Sequence, residues 1–157
     1  MLESLLPDVA YACGGVLADG ITTHVAVQRT GIQNERNDAL REGMIAQGTR
    51  HLVMDTLVRL AHAPVFGGLT FGIDYMLGQE AETLNFHHVL LYGFGSLAYV
   101  AALANTLYVA GASCERKGWF RMAKMFEYLW YIPVMPVLAV NSVVKMGERL
   151  VRQTLNG

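Results

Sequence analysis

Residues 89–112 form an unbroken run of 24 positions without Asp, Glu, Lys, Arg or His. At about 1.5 Å per helical residue, such a run is long enough to cross a hydrocarbon core about 30 Å thick. It predicts an integral membrane protein. In lipid the backbone must satisfy its own hydrogen bonds, which leaves helices or closed barrels as the spanning structures. The spacing and length of the apolar segments favour helices, so the expected fold is all-α, an integral membrane helical bundle.

Composition points the same way. The chain is 53% hydrophobic and 16% charged, against roughly 25% charged residues in an average soluble domain. Its mean hydropathy is +0.31. At 157 residues it reads as a single membrane domain over 1–157, without a linker, low-complexity block or internal repeat. A formal charge of −1 gives no electrostatic reason to expect nucleic acid. Cys13 and Cys114 show no metal or disulfide spacing and read as small buried hydrophobes. The first residues carry Glu3 and Asp8 and no basic group, unlike a cleaved signal peptide, so the first apolar segment is expected to be retained.

Four segments are expected in or on the membrane, at about 9–27, 52–77, 86–112 and 128–144. An amphipathic tail over 145–157 reads as an interfacial helix. Pro64 is expected to kink the second segment, and Pro133 and Pro136 interrupt the fourth. Basic residues mark the cytoplasmic side of spans. The first loop holds Arg29, Arg36 and Arg41, the third holds Arg116, Lys117, Arg121 and Lys124, and the second holds only the acidic Glu80 and Glu82. The first and third loops are therefore expected in the cytoplasm of a prokaryotic cell, within its cytoplasmic membrane. Four full crossings place Lys145, Arg149 and Arg152 outside, whereas a re-entrant fourth segment returns them to the inner surface; four crossings are favoured.

Ionisable groups inside a span are costly unless paired or wet, so each is a functional candidate. Asp19, Thr22 and Thr23 fall on one face of the first segment. They can fix packing or form an intramembrane polar cluster. His51, Asp55, Arg59 and His62 lie within about 80° of arc on the second segment. That stripe suits either the wet face of an interfacial helix or a path for protons or cations. Gly95, Ala98, Ala102 and Asn105 line one stripe of the third segment, and Gly68 and Gly72 repeat the spacing in the second. Small residues at such spacing let helices approach closely in lipid. His87 and His88, with Glu80 and Glu82, offer nitrogen and oxygen donors of the kind a divalent metal accepts, although the spacing matches no established metal motif. Interfacial histidines hydrogen-bonded to headgroups are the alternative. No other cofactor is expected. No phosphate loop, nucleophile elbow or metalloprotease helix is present, so no residue is assigned as catalytic.

The order Asp19-x-x-Thr22-Thr23, then Glu35-x-Asn37, then Tyr99 and Asn105 in a later span resembles an uncharacterised family of small prokaryotic membrane proteins. That family shows Asp-x-x-Thr-Thr, a Gly and Glu-x-Asn-Pro; here Asp38 stands in place of the Pro. The resemblance covers mainly residues 16–40 and implies a polytopic fold with a cluster of Asp19, Thr23, Glu35 and Asn37. The leading functional expectation is a non-catalytic subunit packing with partner membrane chains in a larger assembly. A proton or cation conduit through Asp19 and the second-segment stripe is the second. A membrane enzyme using Asp19 and Glu35 is the third, with catalysis the less favoured class.

Overall fold

The computed structural model describes residues 2–35, 37–78 and 85–132. Helix α1 spans Leu2–Thr30, α2 Asp38–Gln47, α3 Thr49–Met76 and α4 Phe86–Arg116, with a 3-10 turn at Ile32–Asn34. A fifth helix, α5, covers 120–132, and no strand occurs among the described residues. The fold is all-α.

The first three apolar segments sit inside longer helices. Segment 9–27 lies within α1, 52–77 matches α3 to within its cap residue Leu77, and 86–112 lies within α4, which continues to Arg116. Helix α3 runs on through Pro64. Of the fourth segment only 128–132 is described, as the end of α5; the rest to 144 and the tail 145–157 lie outside the described residues, as do Glu80 and Glu82.

Helix α2 interrupts what the sequence reads as a plain loop, and its start is locally encoded. Asn37 is its N-cap and its side-chain oxygen accepts from Leu40 N at 3.2 Å, which satisfies one of the donors left open in a first helical turn. Glu35 Oε1 accepts from Asn37 N at 2.9 Å, and Arg41 Nη1 donates to the Glu35 carbonyl at 3.1 Å. Gly48, at φ 65°, separates α2 from α3 in a conformation that glycine adopts without steric cost.

Helices α1 and α4 run parallel, with Tyr11 beside Ser96 at one level and Arg116 donating to the Arg29 carbonyl at the far end. Helix α3 runs antiparallel to both, since Gly67 meets Val9 and Leu91 while Thr56 meets Gly20. Close contact between α1 and α4 depends on missing side chains. A Cβ on Gly15 would stand 2.5 Å from the Gly95 carbonyl oxygen and 3.2 Å from the Ala98 Cβ. Ala12 and Val16 beside it are 0% exposed, and such close backbones gain dispersion contacts that bulky residues would prevent.

Many large apolar side chains lie on the outside of the bundle, while its interior combines apolar residues, half of them alanine, with several polar groups. Buried positions include Asp8, Asp19, Thr23, Thr70, Asp74 and His87, whereas Leu6, Ile21, Leu57, Val65, Phe66 and Leu69 are among the exposed large hydrophobics. Helices α3 and α4 are each long and apolar enough to cross a membrane.

Candidate functional site

Three inward stripes bring polar groups together at two levels. On α1 the stripe includes Asp8, Ala12, Gly15, Asp19, Thr23 and Val27; on α3 it includes Leu52, Ala63, Gly67, Thr70 and Asp74; on α4 it includes His87, Leu91, Gly95, Ala98 and Ala102. Asp8 and Asp19 are eleven residues apart, close to three helical turns and roughly 16 Å along the axis. Each marks one polar centre.

The first centre is built on Asp19. Arg59 Nη1 on α3 donates to Asp19 Oδ2 at 2.7 Å, and Asn105 Nδ2 on α4 donates to Asp19 Oδ1 at 3.3 Å and to Thr23 Oγ1 at 2.8 Å. Thr23 Oγ1 also reaches Asp19 Oδ1 at 3.4 Å. Asp55, one turn before Arg59, places Oδ2 2.9 Å from Arg59 Nε. Two carboxylates and one guanidinium leave one formal negative charge. Each long helix thus contributes to one ion-paired cluster, which ties their rotations together: turning any helix by one residue, about 100°, would break it.

A cavity of about 700 Å³ opens beside this cluster, lined by Asp19, Thr23, Arg59 and Asn105 together with Glu35 and Asn37. Leu97, Tyr108, Trp130 and Tyr131 supply apolar and aromatic wall. The cavity therefore joins the residues of the Asp-x-x-Thr-Thr and Glu-x-Asn pattern, but Glu35 and Asn37 face it while engaged in capping α2. Thr22 does not join: its hydroxyl donates to the carbonyls of Ala18 and Asp19 at 2.8 and 3.1 Å, within its own helix.

The stripe His51, Asp55, Arg59 and His62 divides. Asp55 and Arg59 enter the cluster, His51 packs beside Gly43 of α2, and His62 is exposed next to Phe66. The inward face of α3 is turned by one residue from that stripe, following Leu52, Thr56, Arg59 and Ala63, so Arg59 lies on both. Of the small-residue stripes, Gly95, Ala98 and Ala102 are buried at or near the α1 contact, whereas Gly68 and Gly72 have open space where a Cβ would stand.

The second centre lies at the opposite end. His87 Nδ1 is 2.6 Å from Asp74 Oδ2, His88 Nδ1 contacts Asp8 Oδ2, and His87 Nε2 is 3.9 Å from that same Asp8 oxygen. Asp8 and Asp74 are absent from the sequence-derived candidates. Asp8 is detectable once α1 is known to start at Leu2, because it then shares a face with Asp19 three turns away. Asp74 meets His87 thirteen residues later in the chain, a pairing that no local pattern specifies.

Comparison with protein families, with curated proteins and with solved structures finds no match to this chain. The family likeness rests on the residues of its short pattern.

Proposed function

We propose that this chain is a small, non-catalytic integral membrane protein that packs through α3 with other membrane chains. The observation that carries the reading is the outward display of many large apolar side chains around an interior that also encloses charged and hydroxyl groups. In water such a surface would drive aggregation; in lipid it is the solvated state, and at mid-bundle Asp19 and Asp55 pair with Arg59, as a low dielectric favours. The outward Gly68 and Gly72, flanked by the exposed Leu69 and Ile73, suit a second helix approaching α3, since small residues four apart favour close crossing in lipid. Extraction in mild detergent followed by mass measurement tests this. A particle holding this chain with further copies or other membrane proteins is expected; a single copy alone would overturn the assembly reading.

A second reading is supported by the cavity. Asp19 and Glu35 line it together, and with Arg59 as the lining cation they leave it one formal negative charge, which suits a proton or small cation rather than an anion. Purified protein in vesicles would then carry a cation flux that Asp19→Asn abolishes. Absence of flux from the unaltered protein removes this reading.

A further inference from the structure

From the second polar centre we infer that Asp8, His87 and His88 bind a divalent transition-metal ion of the zinc class, with Asp74 as the residue that positions His87. The site goes beyond the assembly reading and is independent of it.

Asp74 stands in the last turn of α3. Its Oδ1 accepts from Phe86 N at 3.1 Å and its Oδ2 from His87 N at 2.9 Å, so it closes the first turn of α4. The same Oδ2 lies 2.6 Å from His87 Nδ1. A carboxylate accepts only, so the proton in that contact sits on Nδ1, and in the neutral ring Nε2 is left as a bare lone pair. A histidine held by a carboxylate through one nitrogen, with the other free to ligate, is the usual outer arrangement of metal-binding imidazoles.

What faces Nε2 is a second acceptor. His87 is 1% exposed, and its Nε2 has no hydrogen-bond partner. Asp8 Oδ2, also buried, lies 3.9 Å away, too far for a hydrogen bond. His88 Nδ1 contacts the same oxygen, a contact that opens when an ion enters, and Asp8, His87 and His88 each offer one ligand atom within 4.8 Å of the others. Nitrogen and oxygen ligands about 2.0–2.2 Å from one ion stand on the order of 3–4 Å apart, which is the spacing of Nε2 and Oδ2. A small cation between them turns an acceptor facing an acceptor into two bonds.

Charge supports the same occupant. Asp8 and Asp74 are 1% and 3% exposed, and among the described residues no Lys or Arg pairs with either. Two buried carboxylates are balanced by one divalent cation, and buried charge is tolerated when it is paired or coordinates metal. Two imidazole nitrogens with one carboxylate oxygen select zinc and its neighbours over magnesium or calcium, which prefer oxygen ligands. The His88 side chain is 28% exposed, giving the ion a route from the surface.

The test uses the full chain in detergent, stripped with chelator, reloaded with Zn²⁺ and freed of excess metal. One zinc per chain is expected. His87→Ala and His88→Ala should each remove it, and Asp74→Asn should weaken binding by about 10–100-fold, the usual loss for a residue orienting a ligand. A variant with His24, His51 and His62 replaced by Ala should keep the full zinc content. X-ray absorption on the zinc-loaded unaltered protein, which depends on no variant folding, should show nitrogen and oxygen neighbours with imidazole scattering. Substoichiometric zinc in the unaltered protein, retention after loss of both His87 and His88, or sulfur in the coordination shell would each overturn the proposal.

Discussion

The carboxylate of Asp19 on α1 lies 2.7 Å from the guanidinium of Arg59 on α3, forty residues later in the chain. With Arg59 also 2.9 Å from Asp55, the pair is the one ionic contact between long helices at the middle of the bundle among the described residues. Removing Asp19 alone leaves Arg59 with a single carboxylate and Asn105 and Thr23 without a charged acceptor. Asp19→Asn is expected to lower stability by about 1.5–3 kcal/mol, the worth of a hydrogen bond to a charged group. Asp19→Leu should cost more, because the donors then lose every partner at that position. In a double-mutant cycle with Arg59→Met, thermal unfolding in detergent should show a coupling of at least about 0.5 kcal/mol; additive losses would mean the two side chains do not act as a pair.

Asn105 supplies the contribution of α4 to the same cluster. Asn105→Leu keeps the branched shape and heavy-atom count and removes the amide that donates to Thr23 at 2.8 Å and Asp19 at 3.3 Å. The expected cost is about 1–3 kcal/mol, for acceptors left unsatisfied away from water. Unfolding by denaturant reads it directly, and an unchanged midpoint would show that the cluster closes without α4.

The two glycine sites should behave oppositely. Gly15→Ala pushes a methyl against the Gly95 carbonyl, 2.5 Å away, with little room to yield because Ala98 stands 3.2 Å off. Overpacking of this kind costs typically about 1–3 kcal/mol. Gly68→Ala meets nothing within 4 Å and replaces a poor helix former, a change worth roughly 0.5–1 kcal/mol in favour of the helix. The melting temperature of the isolated chain should fall for the first and hold or rise for the second.

Helix α2 offers a local test of the Glu35-x-Asn37 pattern. Asn37→Ala removes the cap and should cost about 1 kcal/mol. Asp38 is the first helical residue, a position where Pro is favoured because its missing N–H has no helical partner, and Asn37 already has the extended backbone that precedes Pro, at φ −78° and ψ 105°. Asp38→Pro forfeits only the ion pair with Arg41, whose Asp38 partner is 77% exposed, so stability should change by less than about 1 kcal/mol. Circular dichroism with a thermal scan compares the two. A large loss from Asp38→Pro would show that the resemblance to the Glu-x-Asn-Pro pattern has no basis in the local turn.

Much of the architecture was readable from local pattern. The stripe of Gly95, Ala98, Ala102 and Asn105 predicts the inward face of α4, and continuing it backward by fours reaches Leu91 and His87. Asp19 was identifiable as inward-facing because a charge in an apolar helix must find protein. The buried face of α3 lies one residue out of phase with its polar stripe. His51, Asp55, Arg59 and His62 are the most polar line on that helix, yet the buried line runs through Leu52, Ala63, Gly67, Thr70 and Asp74. Polarity was a poor guide to burial there because small residues and Thr, rather than large hydrophobics, make the helix contacts.

By itself the sequence determined the helical class and the long apolar helices, because hydropathy and period act within a few residues of one another. Which polar groups meet was decided only by tertiary structure. Asp19 finds Arg59 and Asn105, and Asp8 and Asp74 find His87, across separations of 13 to 86 residues. Those encounters depend on the parallel pairing of α1 with α4, where Gly15 meets Gly95, and on the rotation of α3, which turns Arg59 toward Asp19, rather than on any local preference of the charged residues.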